Sequence, residues 1–159
     1  MTRLYARCQG GGRIHEGAPE GHWKVLTTLG AMSLEGMVAT MTIAAATDGD
    51  IFEAFLEQVL CPKLKAGDVV VMDNLNVHKM DRVREFIEST HAQLLYLPPY
   101  SPDLNPIEKA WSKFKQFLRS AKARTAQALD QAVTDALETI TAQNAKAWFR
   151  HSGYGIQQD

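Results

Sequence analysis

The fold is decided by two short apolar runs and by the proline-rich loop that follows the second. They read DVVVMDN at 68–74 and QLLYLPPYSPDLNPIE at 93–108. An unbroken apolar run such as VVVM is typical of a strand buried on both faces, as in a parallel sheet. The run QLLYL predicts a second strand, which Pro98-Pro99 end, and residues 80–87 predict a helix between the two. This order predicts a right-handed crossover and an α/β sheet.

The flanking sequence extends the pattern in both directions. Residues 23–46 alternate in the manner of a β-hairpin that turns at Glu35-Gly36, and Asp48 or Asp50 can cap the helix that comes next. The predicted elements outside the central stretch are a loop at 1–22, strands at 23–34 and 37–46, and helices at 50–60, about 106–121, 125–142 and 144–150. The carboxyl ends of such strands usually carry the functional site, and Asp73 stands at one of them.

Length and composition exclude several classes of protein. A chain of 159 residues with 45% hydrophobic and 22% charged residues can bury a core, which predicts one ordered domain. No apolar run approaches the ~18 residues of a membrane helix, and the amino-terminal residues lack the apolar core of a signal peptide. Cys8 and Cys61 are too few and too far apart for a disulfide framework or a zinc site. A cytoplasmic location is therefore expected.

The net charge of −1 hides an uneven distribution of charged residues. Residues 1–108 hold 9 basic and 14 acidic residues, whereas residues 109–159 hold 8 basic and 4 acidic ones. A near-neutral total would argue against a dedicated nucleic-acid binder. The basic second part removes that objection, because a local excess of cations is sufficient to attract a phosphate backbone.

Two carboxylates are the candidate metal ligands. Asp73 closes a predicted strand, Glu108 opens a predicted helix, and 34 residues separate them. Hard cations such as Mg²⁺ or Mn²⁺ prefer oxygen ligands, and phosphoryl chemistry with two metal ions needs several carboxylates on one small patch. Both residues also have an ordinary structural interpretation. Glu108 can complete a capping box with Asn105, and Asp73 can shape a loop together with Asn74.

The helix that starts near Glu108 carries a row of cations. At 100° per residue, three basic side chains fall within about 40° of the direction of Glu108, and Lys109 follows Glu108 directly. The candidate DNA-binding residues are Lys109, Lys115, Arg119 and Lys122. Trp111, Phe114, Leu118 and Ala121 cluster on another face, which is predicted to be the core-facing side. A carboxylate leading a row of cations suits a metal site beside a phosphate backbone, although a solvated basic face has the same pattern.

The central stretch resembles a known family. Its identifying features are Asp73-Asn74, His78-Lys79 and the run Leu97-Pro98-Pro99-Tyr100-Ser101-Pro102-Asp103-Leu104-Asn105-Pro106-Ile107-Glu108. These features are similar to the transposases of bacterial insertion sequences in the mariner superfamily, and the similarity covers nearly the whole chain. The resemblance implies a ribonuclease H-like fold with an Asp-Asp-Glu metal triad whose last two members are separated by 34 residues. Asp73 would be the second member and Glu108 the third, with Asn74 and His78 near the site.

The resemblance also implies a reaction and its partners. Family members hold two Mg²⁺ (or Mn²⁺) ions that activate water or a 3′-hydroxyl for attack on a DNA phosphodiester during transposition. The implied partners are DNA, as terminal inverted repeats and target, and a second copy of the chain in a homodimer; no membrane is implied. His78 can equally be a surface residue at the start of a helix.

Two parts of the family pattern are absent from this sequence. The first triad aspartate, with the strand that carries it, would precede the Met-Thr-Arg-Leu-Tyr start, and so would the helix-turn-helix region that binds the ends of the element. Residues 1–159 are therefore expected to form one partial catalytic domain that lacks the first, central strand. In the ribonuclease H arrangement this strand lies between the hairpin and the Asp73 strand, so its loss would leave backbone groups unpaired.

Whether this chain alone is an enzyme is left open by its sequence. We expect it to bind catalytic metal weakly and not to cleave DNA by itself. The main alternative is an inactive transposase remnant that serves, if at all, as a nucleic-acid-binding or dimerising module. An unrelated phosphate-binding α/β domain is disfavoured, because no glycine-rich loop follows a predicted strand.

Overall fold

A computed structural model describes residues 25–75 and 81–155 of the chain. The described part is a mixed α/β structure, as predicted. Its elements are β1 (Thr27–Ser33), β2 (Gly36–Ile43), α1 (Gly49–Phe55), β3 (Val69–Met72), α2 (Asp81–Ser89), β4 (Gln93–Tyr96), α3 (Ile107–Ala121), α4 (Ala126–Glu138) and α5 (Ala142–His151). The predicted loop at 1–22 lies outside the described residues.

Strands β1 and β2 form the predicted antiparallel hairpin. Their register pairs Thr27 with Ile43 and Ser33 with Gly36, and a bulge interrupts it between Ala31 and Met32. Gly36 has a φ of +110°, a conformation that glycine adopts without steric cost, at the tight turn of the hairpin. Ala39 on β2 is buried in the main core, which fixes the face of the hairpin that points inward.

Helix α1 begins at the predicted cap. The carboxylate of Asp48 accepts a hydrogen bond from the backbone N–H of Ile51 at 3.0 Å, which satisfies one free donor of the first turn. The helix continues as one π-helical turn, Leu56–Leu60, and one 3₁₀ turn, Cys61–Lys63. Pro62 lies in that last turn, where the missing N–H of proline limits further helix growth.

Strands β3 and β4 are parallel neighbours, and α2 is the crossover between them. The register pairs Val69 with Gln93 and Met72 with Tyr96. One hydrogen bond beyond the ladder, from the N–H of Leu97 to the carbonyl of Met72, is 2.8 Å long. The carboxyl ends of the two strands therefore meet at one edge, where Asp73 and Leu97 stand side by side.

Two apolar clusters hold the elements together. The first joins the hairpin, α1, β3 and α2, with Leu56, Val83 and Ile87 completely buried. The second joins α3 to α4 through Phe114, Leu118 and the buried residues of α4.

The predicted inner face of α3 needs one correction. Phe114 and Leu118 are buried and Trp111 is partly buried, but Ala121 is exposed. The cause is the end of the helix at Lys122, whose backbone is left-handed with a φ of +51°. The chain therefore turns away before Ala121 can reach the core.

Of the two carboxy-terminal helices, α4 is shorter than predicted and α5 is longer. Helix α4 ends at Glu138 and α5 begins at Ala142, whereas the sequence pattern extended the first of them to residue 142. The boundary is set by Thr141, which forms a reciprocal capping box with Asn144. Lys113 of α3 reinforces the junction by donating hydrogen bonds from Nζ to the Thr139 carbonyl at 2.5 Å and to Asn144 Oδ1 at 2.7 Å.

The four described strands form two separate two-stranded sheets, β1-β2 and β3-β4. Within residues 25–75 and 81–155 no strand joins them. The expectation that the Val69–Met72 strand is buried on both faces is wrong. Only Met72 is buried, and Val69 is 54% exposed, because one edge of β3 has no neighbouring strand in the described part of the chain.

Candidate metal and DNA site

Asp73 lies one residue beyond β3, at the edge where the parallel strands end. Its side chain is half-buried, and Oδ1 accepts a hydrogen bond from the N–H of Leu75 at 3.3 Å. The loop-shaping role considered for Asp73 is thus present in the structure. It is compatible with a ligand role, because a carboxylate has lone pairs on both oxygens and the turn holds it in place.

Glu108 lies in the first turn of α3, and its side chain is exposed. The predicted capping box with Asn105 is wrong. Pro106 is the N-cap, with helical backbone angles and no side-chain cap, so only the backbone carbonyl of Asn105 receives the N–H of Glu108, at 3.2 Å. Among the described residues the Glu108 carboxylate makes no hydrogen bond or ion pair, so helix capping does not account for it.

The structure brings Asp73, Asn74 and Glu108 together in one shallow pocket of about 390 Å³. Leu75 and the loop between β4 and α3, which includes Pro98 and Tyr100, complete its lining. The strand end and the helix start therefore meet as the 34-residue separation suggested. His78, the other residue expected near the site, lies outside the described residues.

The loop that lines this pocket is held by its own backbone and by the carboxy-terminal tail. Leu104 N–H bonds to the Ser101 carbonyl at 3.2 Å, and Asn105 N–H bonds to the Pro102 carbonyl at 3.0 Å. The hydroxyl of Tyr154 donates to the Leu104 carbonyl at 2.9 Å, and partial burial raises the pKa of Tyr154. Fifty residues separate this pair, so no local sequence signal could have identified Tyr154 as an anchor of the loop.

Tyr100 is a further residue that the sequence did not single out. Its side chain is fully exposed and its backbone is left-handed, with a φ of +57°. A residue other than glycine in this conformation is uncommon and is held there by its surroundings. Tyr100 therefore projects from the rim of the pocket. The signal in the sequence was its place among three prolines, which restrict the conformations of that loop.

The predicted basic row lies along α3, leading away from Glu108. Lys109 and Lys115 are exposed, and Arg119 and Lys122 are half-buried. Fourteen residues separate Glu108 from Lys122, which corresponds to about 21 Å along the helix axis. Lys113, which the prediction left out of the row, donates hydrogen bonds to Thr139 and Asn144. The structure thus distinguishes a structural lysine, Lys113, from the exposed Lys109 and Lys115.

The donor set of the pocket fits a hard divalent cation. Mg²⁺ is usually held by one or two carboxylates, several waters and the phosphates of its substrate, and Asp73 and Glu108 can provide the two carboxylates. No group of three or more His, Cys, Asp or Glu residues suited to a metal occurs in the described part of the chain. The same part contains no helix long and apolar enough to cross a membrane.

Comparison with known sequences identifies one endonuclease family and several related transposases. The family model for the DDE superfamily endonuclease matches residues 1–130. The Tcb2 transposase of Caenorhabditis briggsae is 31% identical over 107 residues, which are 64% of this chain and 39% of that protein. The Tc1 transposase of Caenorhabditis elegans is 32% identical over 91 residues, which are 57% of this chain and 33% of that protein. The chain thus spans little more than a third of these relatives.

Comparison with solved structures supports the fold. The Mos1 strand transfer complex matches 99% of this chain and 51% of its own, with a TM-score of 0.66 and 13% identity. A Mos1 mariner paired-end complex with Mn matches 96% of this chain and 47% of its own, with a TM-score of 0.66 and 12% identity. The ribonuclease H-like fold is therefore confirmed. The family match covers most of the chain, and the alternative of a non-enzymatic remnant is not favoured.

Proposed function

The chain belongs to the DDE superfamily endonuclease family, and from this we propose that it is part of the catalytic domain of a transposase of a bacterial insertion sequence. The proposed reaction is metal-dependent cleavage and strand transfer of DNA during transposition. The bacterial assignment is supported by the run Tyr100-Ser101-Pro102-Asp103-Leu104-Asn105-Pro106-Ile107-Glu108, which resembles bacterial members of the family. The proposal places the protein in the cytoplasm, where it meets the DNA of a bacterial cell.

One observation carries the proposal. Asp73 from a strand end and Glu108 from a helix start line the same pocket, although 34 residues separate them in the sequence. We propose that both carboxylates bind Mg²⁺ or Mn²⁺, with Asn74 and His78 close to the reacting groups. A bound divalent ion would lower the pKa of water and stabilise charge on the phosphate. The protein side chains would hold and orient the ion.

The proposed partners are the terminal repeats of the element, its target DNA and a second copy of the chain. Support comes from Mos1 complexes, which include a strand transfer complex and a paired-end complex with a left transposon end. We propose that Lys109, Lys115, Arg119 and Lys122 bind the phosphate backbone of this DNA. Such contacts position a duplex without reading its sequence, which suits a helix that begins at a metal ligand.

The proposal also includes a second segment of polypeptide. The described residues supply two carboxylates and two unjoined sheets, whereas chemistry with two metal ions needs several carboxylates on one patch. We propose that a segment beyond Met1 in the intact transposase, or in a separate reading frame, supplies the first aspartate. The chain alone would then bind metal weakly.

Metal binding tests the assignment of the two carboxylates. Titration of Mn²⁺ followed by electron paramagnetic resonance is expected to show weak binding that Asp73→Asn or Glu108→Gln each weakens ~10-fold or more. Asp103→Asn is the matched control, because Asp103 is an exposed carboxylate in the same loop that does not line the pocket. Equal effects of all three substitutions would contradict the proposal.

Cleavage of terminal-repeat DNA in Mn²⁺ tests the need for a second segment. We expect no cleavage by the chain alone, and cleavage when the upstream reading frame is joined to Met1. The joined protein should lose that cleavage with Asp73→Ala. Cleavage by the chain alone that Asp73→Ala abolishes would show that two carboxylates are sufficient.

A further inference from the structure

The carboxy-terminal tail of the chain lies beside the start of α3. The hydroxyl of Tyr154 donates a hydrogen bond of 2.9 Å to the carbonyl of Leu104, which stands four residues before Glu108. Tyr154 also lines a cleft of about 740 Å³, and Asn105 and Glu108 line the same cleft. The tail therefore borders the segment that carries a proposed metal ligand.

Helix α3 starts without a side-chain cap. Helices α1, α4 and α5 begin after Asp48, Thr125 and Thr141, and each of these side chains accepts a hydrogen bond from a backbone N–H of the first turn. Pro106, at the same position of α3, makes no such bond. A first turn without this bond opens more easily than a capped one. The helix start that carries Glu108 therefore depends on the preceding segment for its position.

That preceding segment is one 3₁₀ turn, Pro102–Leu104. Its own backbone hydrogen bonds, to the carbonyls of Ser101 and Pro102, are 3.2 and 3.0 Å long. Leu104 is 41% exposed, so burial of its side chain contributes little to holding the turn. The hydrogen bond from Tyr154 ties the turn to a part of the chain that is 50 residues away.

Tyr154 is itself held firmly at the end of α5. The helix ends in a Schellman motif, in which Gly153 N–H bonds to the Arg150 carbonyl at 3.1 Å and Tyr154 N–H bonds to the Phe149 carbonyl at 3.0 Å. Gly153 has the positive φ, +87°, that this motif requires. The rings of Phe149 and Tyr154 meet edge to face, with centroids 5.4 Å apart. The tail therefore presents the hydroxyl from a fixed backbone.

Helix α5 is in turn fixed to α3. Lys113 Nζ donates a hydrogen bond of 2.7 Å to Asn144 Oδ1, in the first turn of α5. The contacts thus run from α3 to α5, along α5 to Tyr154, and from its hydroxyl back to the turn before α3. Partial burial raises the pKa of Tyr154, so the hydroxyl keeps the proton that it donates at neutral pH.

We propose that Tyr154 is a positioning residue for Glu108. Its hydroxyl holds the turn before α3 and so keeps the Glu108 carboxylate in the shallow pocket that it shares with Asp73. Tyr154 does not line that pocket, so it acts on the metal through the turn and not by contact. The proposal rests on the proposed function, in which Glu108 binds the metal.

Removal of one hydroxyl tests this role. Tyr154→Phe abolishes the hydrogen bond to Leu104 and keeps the ring against Phe149. In a Mn²⁺ titration of the full chain followed by electron paramagnetic resonance, we expect the variant to bind the ion about 3–10-fold more weakly. Its melting temperature should fall by no more than about 4 °C. The matched control is Tyr96→Phe, because Tyr96 lies at the end of β4 and lines neither the cleft nor the pocket. Equal effects of the two substitutions on Mn²⁺ binding would overturn the proposal.

A double-mutant cycle separates positioning from a general loosening of the structure. In a Glu108→Gln background, Tyr154→Phe should not weaken Mn²⁺ binding further, because no carboxylate is left to position. Weakening by the same factor in both backgrounds would overturn the proposal. If Glu108→Gln weakens Mn²⁺ binding and Tyr154→Phe does not, only the positioning role is wrong. If Glu108→Gln itself has no effect, the ligand role in the proposed function is wrong, and the positioning role is wrong with it.

Hydrogen–deuterium exchange tests the anchor without metal. Backbone amides in a peptide that covers residues 101–109 should exchange about 3–10-fold faster in Tyr154→Phe than in the wild-type chain. Amides of α4 serve as the internal reference and should exchange at the wild-type rate. Unchanged exchange at residues 101–109 would show that the hydroxyl does not hold the turn, and the proposal would be wrong.

A pair of glycine substitutions provides a second variant should Tyr154→Phe fail to fold. A Cβ added to Gly153 or to Gly155 would meet no atom within 4 Å, but only Gly153 has a positive φ. Gly153→Ala therefore strains the residue that places Tyr154, whereas Gly155→Ala does not. We expect Gly153→Ala alone to weaken Mn²⁺ binding and to accelerate exchange at residues 101–109. Equal behaviour of the two variants would overturn the proposal.

Discussion

The cations along α3 lead to a quantitative prediction about DNA binding. Lys115, Arg119 and Lys122 follow Glu108 on one side of the helix. From Lys115 to Lys122 the row covers about 10 Å, the axial length of roughly three phosphates along one DNA strand. Replacing the three cations with glutamine should therefore weaken binding through the phosphate backbone. Phe114 and Leu118, which anchor the helix in the second apolar cluster, are unchanged.

The size of the effect follows from counterion release. Each phosphate contact contributes about −0.9 to the slope of log K against log salt concentration. Removal of three contacts should make the slope shallower by about 2.7. Between 50 and 200 mM salt the difference in affinity between wild-type and triple variant should accordingly shrink by about 40-fold. If Lys109 also contacts a phosphate, the complete row accounts for a slope of about −3.6.

The assay is fluorescence anisotropy on a labelled 30-base-pair duplex at four salt concentrations. The matched control replaces Lys63, Lys65 and Lys146 with glutamine, which changes the net charge equally. These side chains are exposed and belong to other elements, two of them before β3 and one on α5. If α3 is the contact surface, their removal should leave the slope nearly unchanged, because they make no phosphate contact.

The comparison of slopes can refute this reasoning. If both triple variants change the slope equally, binding responds to net charge and α3 is not the contact surface. If the α3 variant weakens binding by the same factor at every salt concentration, its cations do not contact phosphates. Unchanged circular dichroism spectra of both variants would exclude unfolding as the cause.

Four further predictions concern stability and reactivity. Ile87→Ala, at a completely buried site, should lower the free energy of unfolding by about 2–5 kcal/mol in urea titration; a loss below 1 kcal/mol would contradict the described core. Arg82 forms an ion pair with Glu53 at 2.6 Å, and the Glu53 side chain is only 10% exposed. Arg82→Gln should therefore lower the free energy of unfolding by about 1–2 kcal/mol. The addition of Glu53→Gln should recover part of this loss in a double-mutant cycle. Lys122→Gly should stabilise the chain by up to about 1 kcal/mol by relieving the left-handed end of α3, and a lower melting temperature would argue against that strain. Burial, with a smaller contribution from Glu57, raises the pKa of the Cys61 thiol. Alkylation by iodoacetamide, followed by mass spectrometry of a Cys8→Ser variant, should therefore be slower than that of a free cysteine at pH 7, and an equally fast reaction would contradict the burial.

Most of the fold could be predicted because its signals are local. The apolar runs at 68–73 and 93–97, the turn at Glu35-Gly36 and the cap at Asp48 all depend on neighbouring residues. The errors arose where the burial of a residue depends on a part of the chain that is distant in sequence. Val69 was expected to be buried because its neighbours are apolar, but it is exposed because β3 has a neighbouring strand on only one edge in the described part of the chain.

Part of the candidate site was also indicated by sequence signals. The separation of Asp73 and Glu108 and the motif around Pro106 indicated the pair, and the structure places both in one pocket. The helix cap was wrong by one residue, since Pro106 already has helical angles and displaces Asn105 from the capping position. The anchor at Tyr154 could not be predicted, because its hydrogen bond to Leu104 spans 50 residues.

The proposed second segment and the proposed metal depend on the same pair of carboxylates. Under the proposed function, a segment that supplies a third carboxylate beside Asp73 and Glu108 joins them in holding the metal. Binding of that segment and binding of the metal must then favour each other by the same factor, because linkage between two sites is reciprocal. This coupling would restrict DNA cleavage to the assembled domain.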